Sequence, residues 1–398
     1  MTTFYVKSIQ YFLHPEVLAH YLTGRLSDAD KKGMILKSAN LPFSSLATLF
    51  ALTVSAMLVA CGGGGSNSST GGNTGGSGSG TGTGTTTNWE SAVTSVAAPT
   101  YTGDNLTVYT QINAARSASG AGLYAQNAAL DKAAAAHAQY LLDNWSVTTL
   151  QNFHSETSGL TGFTGTTPAA RDQVAGYTGN GISEIGVGIL ASGTATDCVN
   201  SWLDSVYHAQ DLFGQGTDVG IAAMSDASGN YVCVVESGTS LATGVFTGQL
   251  PASTLVYPYA GATGVQTTFV PAAEEPNPAP DVGTGLMGQP ILVSGTDAVL
   301  AKALPNGWTA SQVTINGFTV TAQGSSTPVS VRLVVPAGTV GAAGVTVTND
   351  VGGLFTGLAY ALPLAPLSAN TTYNVAFSAT VNGQAVTDNW SFTTGAGN

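Results

Sequence analysis

Two histidines and a glutamate are the residues of this chain best suited to chemistry. His154 occurs in Asn-Phe-His-Ser-Glu, His208 in Trp-Leu-Asp-Ser-Val-Tyr-His, and Glu184 in Gly-Ile-Ser-Glu-Ile-Gly. Glu184 is the one charge in an apolar, strand-like run, and an ionised carboxylate there needs a partner because uncompensated burial costs several kcal/mol. We therefore expect His154, Glu184 and His208 to line one cleft. Glu184 can instead pair with Arg171 and serve the fold alone.

Three kinds of function fit these residues. His154, His208 and Glu184 form a ligand set that can hold a divalent metal such as zinc and leave one position open. Ser205 lies three residues before His208 on a predicted helix, so Ser205, His208 and Glu184 can also form the Ser-His-Glu arrangement of a hydrolase, although the chain has no Gly-x-Ser-x-Gly elbow. The third function is binding without catalysis.

His137 has a different environment. It lies on the apolar stripe of an Ala-rich predicted helix, in the sequence Ala-His-Ala. A histidine on such a stripe is expected to be a core residue whose ring nitrogens are satisfied by neighbours. We therefore do not count His137 among the cleft residues.

The charge of the chain excludes nucleic acid as a partner. Only 8% of the 398 residues are charged, and the net charge is −12. Five basic and 19 acidic residues follow Cys61, which gives that part a net charge of −14. A region with this net negative charge repels the phosphate backbones of nucleic acids and anionic lipid surfaces.

The N-terminal region has the pattern of an export signal. An uncharged apolar run, 43–60, ends in Leu-Val-Ala-Cys61, which resembles the bacterial lipobox, in which the cysteine is lipidated. An uncleaved membrane helix is the alternative, since 18 apolar residues can just span a bilayer. Met34 would make a more ordinary start than Met1. We expect a protein of the cell envelope that is anchored outside the cytoplasm through lipid on Cys61.

The two other cysteines are expected to form a disulfide. Once Cys61 carries lipid, Cys198 and Cys233 remain. An even number of cysteines in an exported chain favours a disulfide.

Composition and periodicity divide the rest of the chain. The stretch 62–87 is almost wholly Gly, Ser, Thr and Asn and predicts a flexible tether of roughly 25–30 Å. Helical spacing and one hairpin pattern predict an α+β domain. In it, Asn127 is expected to cap one helix, Pro168 to begin and Gly176 to end another, and 197–213 to form a further helix with Trp202, Val206, Ala209 and Phe213 on one apolar stripe. Regular strand signals without a helical period predict a final β-sandwich of Ig-like character, with strands at 290–293, 312–323, 329–335, 344–348, 372–381 and 389–394. The predicted regions are a leader with a lipoprotein signal (1–60), the tether (61–99), the α+β domain (100–246), a Pro-rich connector (247–283) and the β-sandwich (284–398).

The α+β region resembles the CAP superfamily, which includes the cysteine-rich secretory proteins and the plant pathogenesis-related type 1 proteins, and is most similar to its bacterial branch. The resemblance depends on the order of short motifs over about a third of the chain. These are Asn113-Ala-Ala-Arg116, Leu130 with Ala136-His-Ala, His154, Gly162-Phe-Thr-Gly165, Arg171 with Gly176-Tyr177, Glu184, Trp202-x-x-Ser205-x-x-His208 and Asp218-Val-Gly220.

The resemblance implies an α-β-α sandwich with a cleft of two histidines and two acids, which holds a divalent metal in some members. His154, His208 and Glu184 match that pattern. The second acid does not, because Asp204 or Ser205 stands where many eukaryotic members have a glutamate. We therefore expect a lipid-anchored binding module whose cleft takes a small ligand, a glycan, a lipid or a protein. A cell-surface hydrolase and a structural or adhesive protein are the alternatives.

Overall fold

The computed structural model describes residues 3–5, 87–146, 149, 152–190, 192–242, 245–295, 310–350 and 353–397. The predicted signal, Cys61 and most of the predicted tether lie outside these residues. Within the described part of the chain, no helix is both long enough and apolar enough to cross a membrane.

In the first half of the described residues, the structure has one seven-stranded sheet and five helices. The helices are α1 (Gly103–Ser119), α2 (Ala128–Asp143), α3 (Pro168–Ala175), α4 (Ala195–Leu203) and α5 (Tyr207–Leu212). The strands are β1 (Thr3–Tyr5), β2 (Thr87–Ser91), β3 (Ala125–Gln126), β4 (Asn180–Leu190), β5 (Asp218–Ser225), β6 (Tyr231–Ala242) and β7 (Val245–Leu250). The sheet runs in the order β1-β4-β6-β5-β3, while β7 pairs with β6 and with β2.

Side chains that alternate along β6 bury both faces of this sheet. Val232 and Val234 pack with α2 on one face, whereas Cys233 and Val235 pack with α1, α4 and α5 on the other. Gly220 of β5 allows the close approach of α2, because a Cβ there would lie 2.0 Å from the Leu130 carbonyl carbon. The mixture of helices and sheet confirms the predicted α+β class.

The predicted helix boundaries agree with the structure at several ends. The Asn127 side chain caps α2 by accepting backbone hydrogen bonds from Ala129 and Leu130. Pro168 occupies the first turn of α3, and Gly176 ends that helix with a φ of 97°. The predicted disulfide is also confirmed, because Cys198 of α4 is bonded to Cys233 of β6.

The prediction of one helix over 197–213 is wrong, because the structure has α4 and α5 with a break between them. The backbone N–H groups of Val206, Tyr207 and His208 donate to the Glu274 carboxylate instead of to carbonyls one turn earlier. Glu274 thus takes the hydrogen bonds that a continuous helix would need at this point.

Two further sheets form the second half of the structure. The strands are β8 (Leu255–Tyr257), β9 (Ile291–Ser294), β10 (Val313–Ala322), β11 (Val331–Val335), β12 (Val340–Gly341), β13 (Thr348–Asn349), β14 (Leu358–Pro363), β15 (Thr372–Val381) and β16 (Gln384–Thr393). One sheet has the order β12-β10-β15-β16 and the other β13-β11-β14-β9-β8. The predicted Pro-rich connector contains β8 and two short 3-10 turns, Pro271–Ala273 and Pro280–Val282.

The five-stranded sheet contributes to two hydrophobic cores. Along β14, Ala359 and Ala361 pack toward the four-stranded sheet, whereas Leu358, Tyr360 and Leu362 belong to the core that contains α4 and α5. The Tyr360 hydroxyl also donates to the Val206 carbonyl oxygen at 2.6 Å. One continuous core therefore joins the helical half to the strand-rich half.

Candidate functional site

Two glutamates face each other across the centre of the first sheet. Glu184 of β4 is the cross-strand neighbour of Glu236 of β6, and both are buried on the face covered by α2 and α3. Like charges directly opposite one another destabilise a sheet. The surroundings of the two carboxyl groups must therefore differ.

Glu184 is the centre of a hydrogen-bonded group. Its Oε1 accepts a hydrogen bond from His154 Nδ1 at 2.7 Å, and its Oε2 accepts one from Arg171 of α3. His137 Nε2 lies 3.7 Å from Oε1. Burial alone would raise the pKa of Glu184, but the charges of His137 and Arg171 and the His154 hydrogen bond outweigh it and hold that pKa well below its usual range. Glu184 is therefore ionised.

His137 is a completely buried histidine with a partner at each ring nitrogen. Its Nδ1 lies 3.0 Å from Glu156 Oε1, and its Nε2 lies 2.8 Å from the Phe153 carbonyl oxygen. Burial would raise the pKa of Glu156, but hydrogen bonds from His137, Thr164 and Gly165 lower it. Both ring nitrogens of His137 therefore face hydrogen-bond acceptors. The expectation of a satisfied core histidine is confirmed.

Asp172 and Glu236 are the neutral acids of the cluster. Both are completely buried, and Glu236 shares a side-chain hydrogen bond with Glu184. Burial and the charge of Glu184 raise the pKa of Asp172 to about 7, and the same two causes raise the pKa of Glu236 well above its usual range. Each carboxyl group therefore holds its proton at neutral pH or just below.

The acids of this buried cluster differ in charge. Glu156 and Glu184 have lowered pKa values and are negative beside Arg171, whereas raised pKa values favour the protonated forms of Asp172 and Glu236. His154 is the member of the group that reaches solvent, with 26% of its side chain exposed against 1% for Glu184. Since ionised Glu184 can only accept, His154 carries a proton on Nδ1.

His208 belongs to a second polar group on α5. Its Nδ1 lies 3.2 Å from Ser205 Oγ and 3.4 Å from Glu274 Oε1. Ser205 donates its own proton to the Trp202 carbonyl oxygen at 2.8 Å. Among the contacts of the described residues, His154 joins Glu184, whereas His208 joins Ser205 and Glu274.

Asp211 lies between the two groups. Burial raises its pKa to about 6, while a hydrogen bond from Ser183 and the charges of His208 and His154 act in the opposite direction. Both imidazoles are therefore near enough to stabilise the ionised form of this one carboxyl group. Sequence reasoning missed Asp211, although it lies one turn after His208 on the same face of a predicted helix.

Four other acids of the site were also missed: Glu156, Asp172, Glu236 and Glu274. Glu236 had the same signal as Glu184, a single charge in an apolar strand. Glu156 and Asp172 follow His154 and Arg171 closely in sequence but have no periodicity that would place them inside. Glu274 stands among prolines, where nothing predicts a contact with α5.

The donor set around Glu184 is poorly suited to a metal ion while Arg171 stays in place. Both Glu184 oxygens already accept hydrogen bonds, and a guanidinium beside them repels a divalent cation. The described residues also contain no three His, Cys, Asp or Glu side chains that are arranged to hold a metal together. Zinc binding therefore stays a prediction of the sequence.

The Asn113-x-x-Arg116 motif supports the fold around the site. The Arg116 guanidinium is fully buried and donates to the carbonyl oxygens of Leu212 and Gly214, directly after α5. The Asn113 side chain bonds both backbone groups of Tyr124. This motif holds the end of α5 and makes no contact with His154 or Glu184 among the described residues.

Comparison with known proteins agrees with the observed architecture. The model of the Cysteine-rich secretory protein family, CAP, matches residues 109–237. A solved outer surface protein of Borrelia burgdorferi is 23% identical, over 34% of this chain and 91% of that one, with a TM-score of 0.29. A search of the curated proteins finds no match. The match to the CAP family model, which we call the CAP domain, contains His137, His154, Glu184, Ser205 and His208.

Proposed function

We propose that this protein is an extracytoplasmic, lipid-anchored binding protein whose ligand site is at His154. The observation that carries the proposal is the contrast in exposure within one hydrogen-bonded group. The His154 ring is 26% exposed, while the Glu184 carboxylate that orients it is nearly inaccessible. Because the buried Glu184 carboxylate accepts a hydrogen bond from Nδ1 and so orients this ring, His154 offers an ordered polar contact at the surface.

The loop that follows His154 and the net charge of the chain favour an uncharged, partly apolar ligand. The loop after His154 exposes two apolar side chains, Leu160 at 43% and Phe163 at 37%. The net charge of −14 beyond Cys61 disfavours anionic ligands. A neutral lipid or a neutral glycan has both the apolar surface and the hydrogen-bonding groups that such a site can use.

A serine hydrolase is less well supported. Ser205 and His208 are each only 4% exposed, and the Ser205 proton is directed to the Trp202 carbonyl oxygen rather than to the imidazole. A general base must face the proton that it removes. We expect no labelling of Ser205 by a fluorophosphonate probe. Labelling of the wild type that is lost in Ser205→Ala would instead support a hydrolase function.

Binding at His154 is tested by titration of the full chain with named probes. These are dodecylphosphocholine below its micelle concentration, tri-N-acetylchitotriose and zinc chloride, each followed through the imidazole NMR signals of His154. We expect at least one of the first two to shift these signals, and His154→Ala to abolish its binding in calorimetry. Ser228→Ala, an exposed change in the β5–β6 turn, is the control. Unchanged signals with both organic probes would contradict the proposal.

The same titration decides the metal. Zinc heats are compared between the wild type and the double variant His154→Ala plus His208→Ala. Equal heats would end the prediction that these imidazoles hold a metal. A smaller heat in the double variant would support zinc binding by these imidazoles.

Anchoring through Cys61 is a separate part of the proposal. It is supported by the Leu-Val-Ala-Cys61 pattern and by the Gly/Ser/Thr-rich stretch that follows. In bacterial cells, an alkyne fatty acid should label the wild-type chain and should not label Cys61→Ser. Equal labelling of the two would refute the anchor.

We also propose that the two-sheet half is an Ig-like module that supports the CAP domain. The support is the core that it shares with α4 and α5, together with the hydrogen bond from Tyr360 to Val206. A purely adhesive role would place the ligand on this module. In that case, probe binding would survive His154→Ala.

A further inference from the structure

Glu274 comes from outside the CAP domain and reaches the helix that carries His208. It lies 37 residues beyond the end of the family match at residue 237. Its carboxylate is nearly inaccessible and accepts backbone hydrogen bonds from Val206, at 2.8 and 3.0 Å, from Tyr207, and from His208 at 3.3 Å. Its Oε1 also lies 3.4 Å from His208 Nδ1.

The surroundings of His208 Nδ1 consist of acceptors. Ser205 Oγ has already given its proton to the Trp202 carbonyl oxygen, so it can only accept from the imidazole. Both carboxyl oxygens of Glu274 already accept backbone N–H groups, so this side chain also faces the imidazole as an acceptor. Nδ1 of His208 therefore carries a proton, whether the ring is neutral or charged.

A buried carboxylate also faces Nδ1 of His154, where Glu184 accepts a hydrogen bond at 2.7 Å. At His208 the carboxylate is farther away, 3.4 Å from Nδ1, and Ser205 Oγ lies at 3.2 Å. At His208, the position in the CAP pattern that often supplies an acid is taken by Ser205. The neighbouring Asp204 interacts with Tyr257, whose pKa its charge helps to raise after the larger effect of burial. Asp211 is also near enough to interact with the charge of His208, but Glu274 is the acid whose carboxyl oxygen lies 3.4 Å from His208 Nδ1.

We infer that Glu274 is the positioning acid of His208 and completes a second His–carboxylate pair with a residue from beyond the CAP domain. This inference rests on the proposed binding cleft for its function, but its geometry does not depend on any ligand. The orientation and tautomer of the His208 ring then depend on the chain beyond residue 246. A CAP domain cut out at its family boundaries would contain only the His154–Glu184 pair.

The test reads the protonation of Nδ1 directly, by ¹⁵N NMR of the full chain with labelled histidine. In Ser205→Ala, Glu274 is the remaining side-chain acceptor among those that the structure places at Nδ1. We expect Nδ1 to stay protonated in this variant. A shift of its ¹⁵N signal to the unprotonated range would overturn the inference, because it would show that Ser205 alone positions the ring.

Three double variants sharpen the test. Ser205→Ala plus Glu274→Ala should move the proton toward Nε2, whereas Ser205→Ala plus Glu274→Gln should keep it on Nδ1, because the amide oxygen still accepts. Ser205→Ala plus Glu275→Ala is the matched control, since Glu275 is the exposed neighbour. Unchanged His154 signals verify that each variant is folded. If the Glu274→Ala variant does not fold, the single Ser205→Ala result still decides the question.

Failure of this inference and failure of the proposed function give different results. The ¹⁵N NMR measurement of the His208 tautomer is made without ligand, and the probe titrations do not depend on Glu274. If the protonation of His208 Nδ1 changes as expected in the variants and no probe binds, the proposed binding function is refuted and the His208–Glu274 pair is supported. If a probe binds at His154 and the protonation of His208 Nδ1 does not depend on Glu274, only the His208–Glu274 pair is refuted.

Discussion

At the scale of single residues, Glu184 and Glu236 show how neighbours determine the charge of a buried carboxyl group. They are cross-strand partners on the same face of the sheet. Arg171 and two histidines surround Glu184 and hold it ionised, whereas burial and the charge of Glu184 keep Glu236 protonated. Of this pair of glutamates, Glu184 therefore carries a charge and Glu236 does not.

The same substitution at these two positions should have very different effects. Glu184→Gln removes the carboxylate that balances Arg171 and His137, and we expect it to lower the free energy of unfolding by about 3–5 kcal/mol. Glu236→Gln replaces a protonated acid with an amide of the same shape, and we expect a change within about 1 kcal/mol. Urea denaturation at neutral pH measures both. Equal losses would contradict the assigned charges.

Asp172 should make the stability of the protein depend on pH. Its folded pKa of about 7 lies above its ordinary value of 3.8, so the folded state binds this proton more tightly than the unfolded chain does. The resulting stabilisation is complete below pH 3.8 and is lost as the pH rises through 7. Asp211 acts in the same direction, with a pKa of about 6.

We therefore expect a lower Tm at about pH 8 than at about pH 5. Glu156 and Glu184 have lowered pKa values and act in the opposite direction, but only at pH values below their ordinary 4.5. In Asp172→Asn, the difference in Tm between the two pH values should shrink. A wild-type Tm that is the same at both would contradict the prediction.

Residue-scale features were predictable where the sequence carried a local signal. Glu184 was found because it is a lone charge in an apolar strand, and His137 because it lies on an apolar stripe. Glu236 carries the signal of Glu184 but was not recognised. Glu274 could not be found in this way, because its partners lie 66–68 residues away in sequence.

At the scale of elements, the disulfide joins a helix that leads to His208 with a strand that carries Glu236. Cys198 lies in α4 and Cys233 in β6, with a sequence separation of 35. The bond therefore crosses from one layer of the CAP domain to the sheet. The disulfide thus links α4, which leads to the polar group around His208, with β6, which carries Glu236 of the group around Glu184.

Loss of this bond should destabilise the CAP domain. Closing a loop of this length stabilises a protein by about 3–4 kcal/mol in chain-entropy estimates. We expect Cys198→Ser plus Cys233→Ser to lower the free energy of unfolding by about that amount, as measured by urea denaturation without reductant. The wild type with reductant should approach the double variant. A double variant as stable as the oxidised wild type would contradict this expectation.

Helix ends were predictable where the capping residues are local. Asn127, Pro168 and Gly176 each mark an end that the structure confirms. The break between α4 and α5 has no such mark, since the apolar stripe of Trp202, Val206, Ala209 and Phe213 continues across it and all four are buried. The periodicity of apolar residues therefore predicted one helix. The structure has two, because the Glu274 carboxylate, distant in sequence, accepts the backbone hydrogen bonds at the break.

At the scale of the whole molecule, the CAP domain and the two-sheet half share one hydrophobic core. Trp202 and Val206 of the CAP domain belong to the same buried cluster as Leu292, Val334 and Tyr360 of the five-stranded sheet. The Tyr207 hydroxyl donates to Asp350 at 2.5 Å, and the Phe355 N–H donates to Gln210 at 2.8 Å. The two halves are therefore expected to unfold together.

Calorimetry should show one unfolding transition for residues 87–397. Leu292→Ala, which empties a site in the shared core, should lower the free energy of unfolding by about 2–5 kcal/mol without splitting the transition. Leu364→Ala is the control, because Leu364 is 48% exposed and its loss should cost less than about 0.5 kcal/mol. Two separate transitions, of which Leu292→Ala moves only one, would contradict a shared core.

The sequence predicted the strands of the second half better than its packing. Five of the six predicted strand segments, including 312–323 and 372–381, correspond to observed strands with shifts of a few residues, and β14 was not predicted. Leu358-Ala-Tyr-Ala-Leu lacks the polar alternation of a half-buried strand because both of its faces are covered. A strand buried on both sides cannot be recognised by a period of two in polarity.

The alternation along β14 has a consequence for which changes the chain can tolerate. Its small alanines fill the space between the two sheets, and its large side chains fill the space against α5. An insertion or deletion of one residue within Leu358–Pro363 reverses both sets at once, crowding one interior and hollowing out the other. The paired exchange Ala359→Tyr with Tyr360→Ala reproduces that damage without altering the length of the chain.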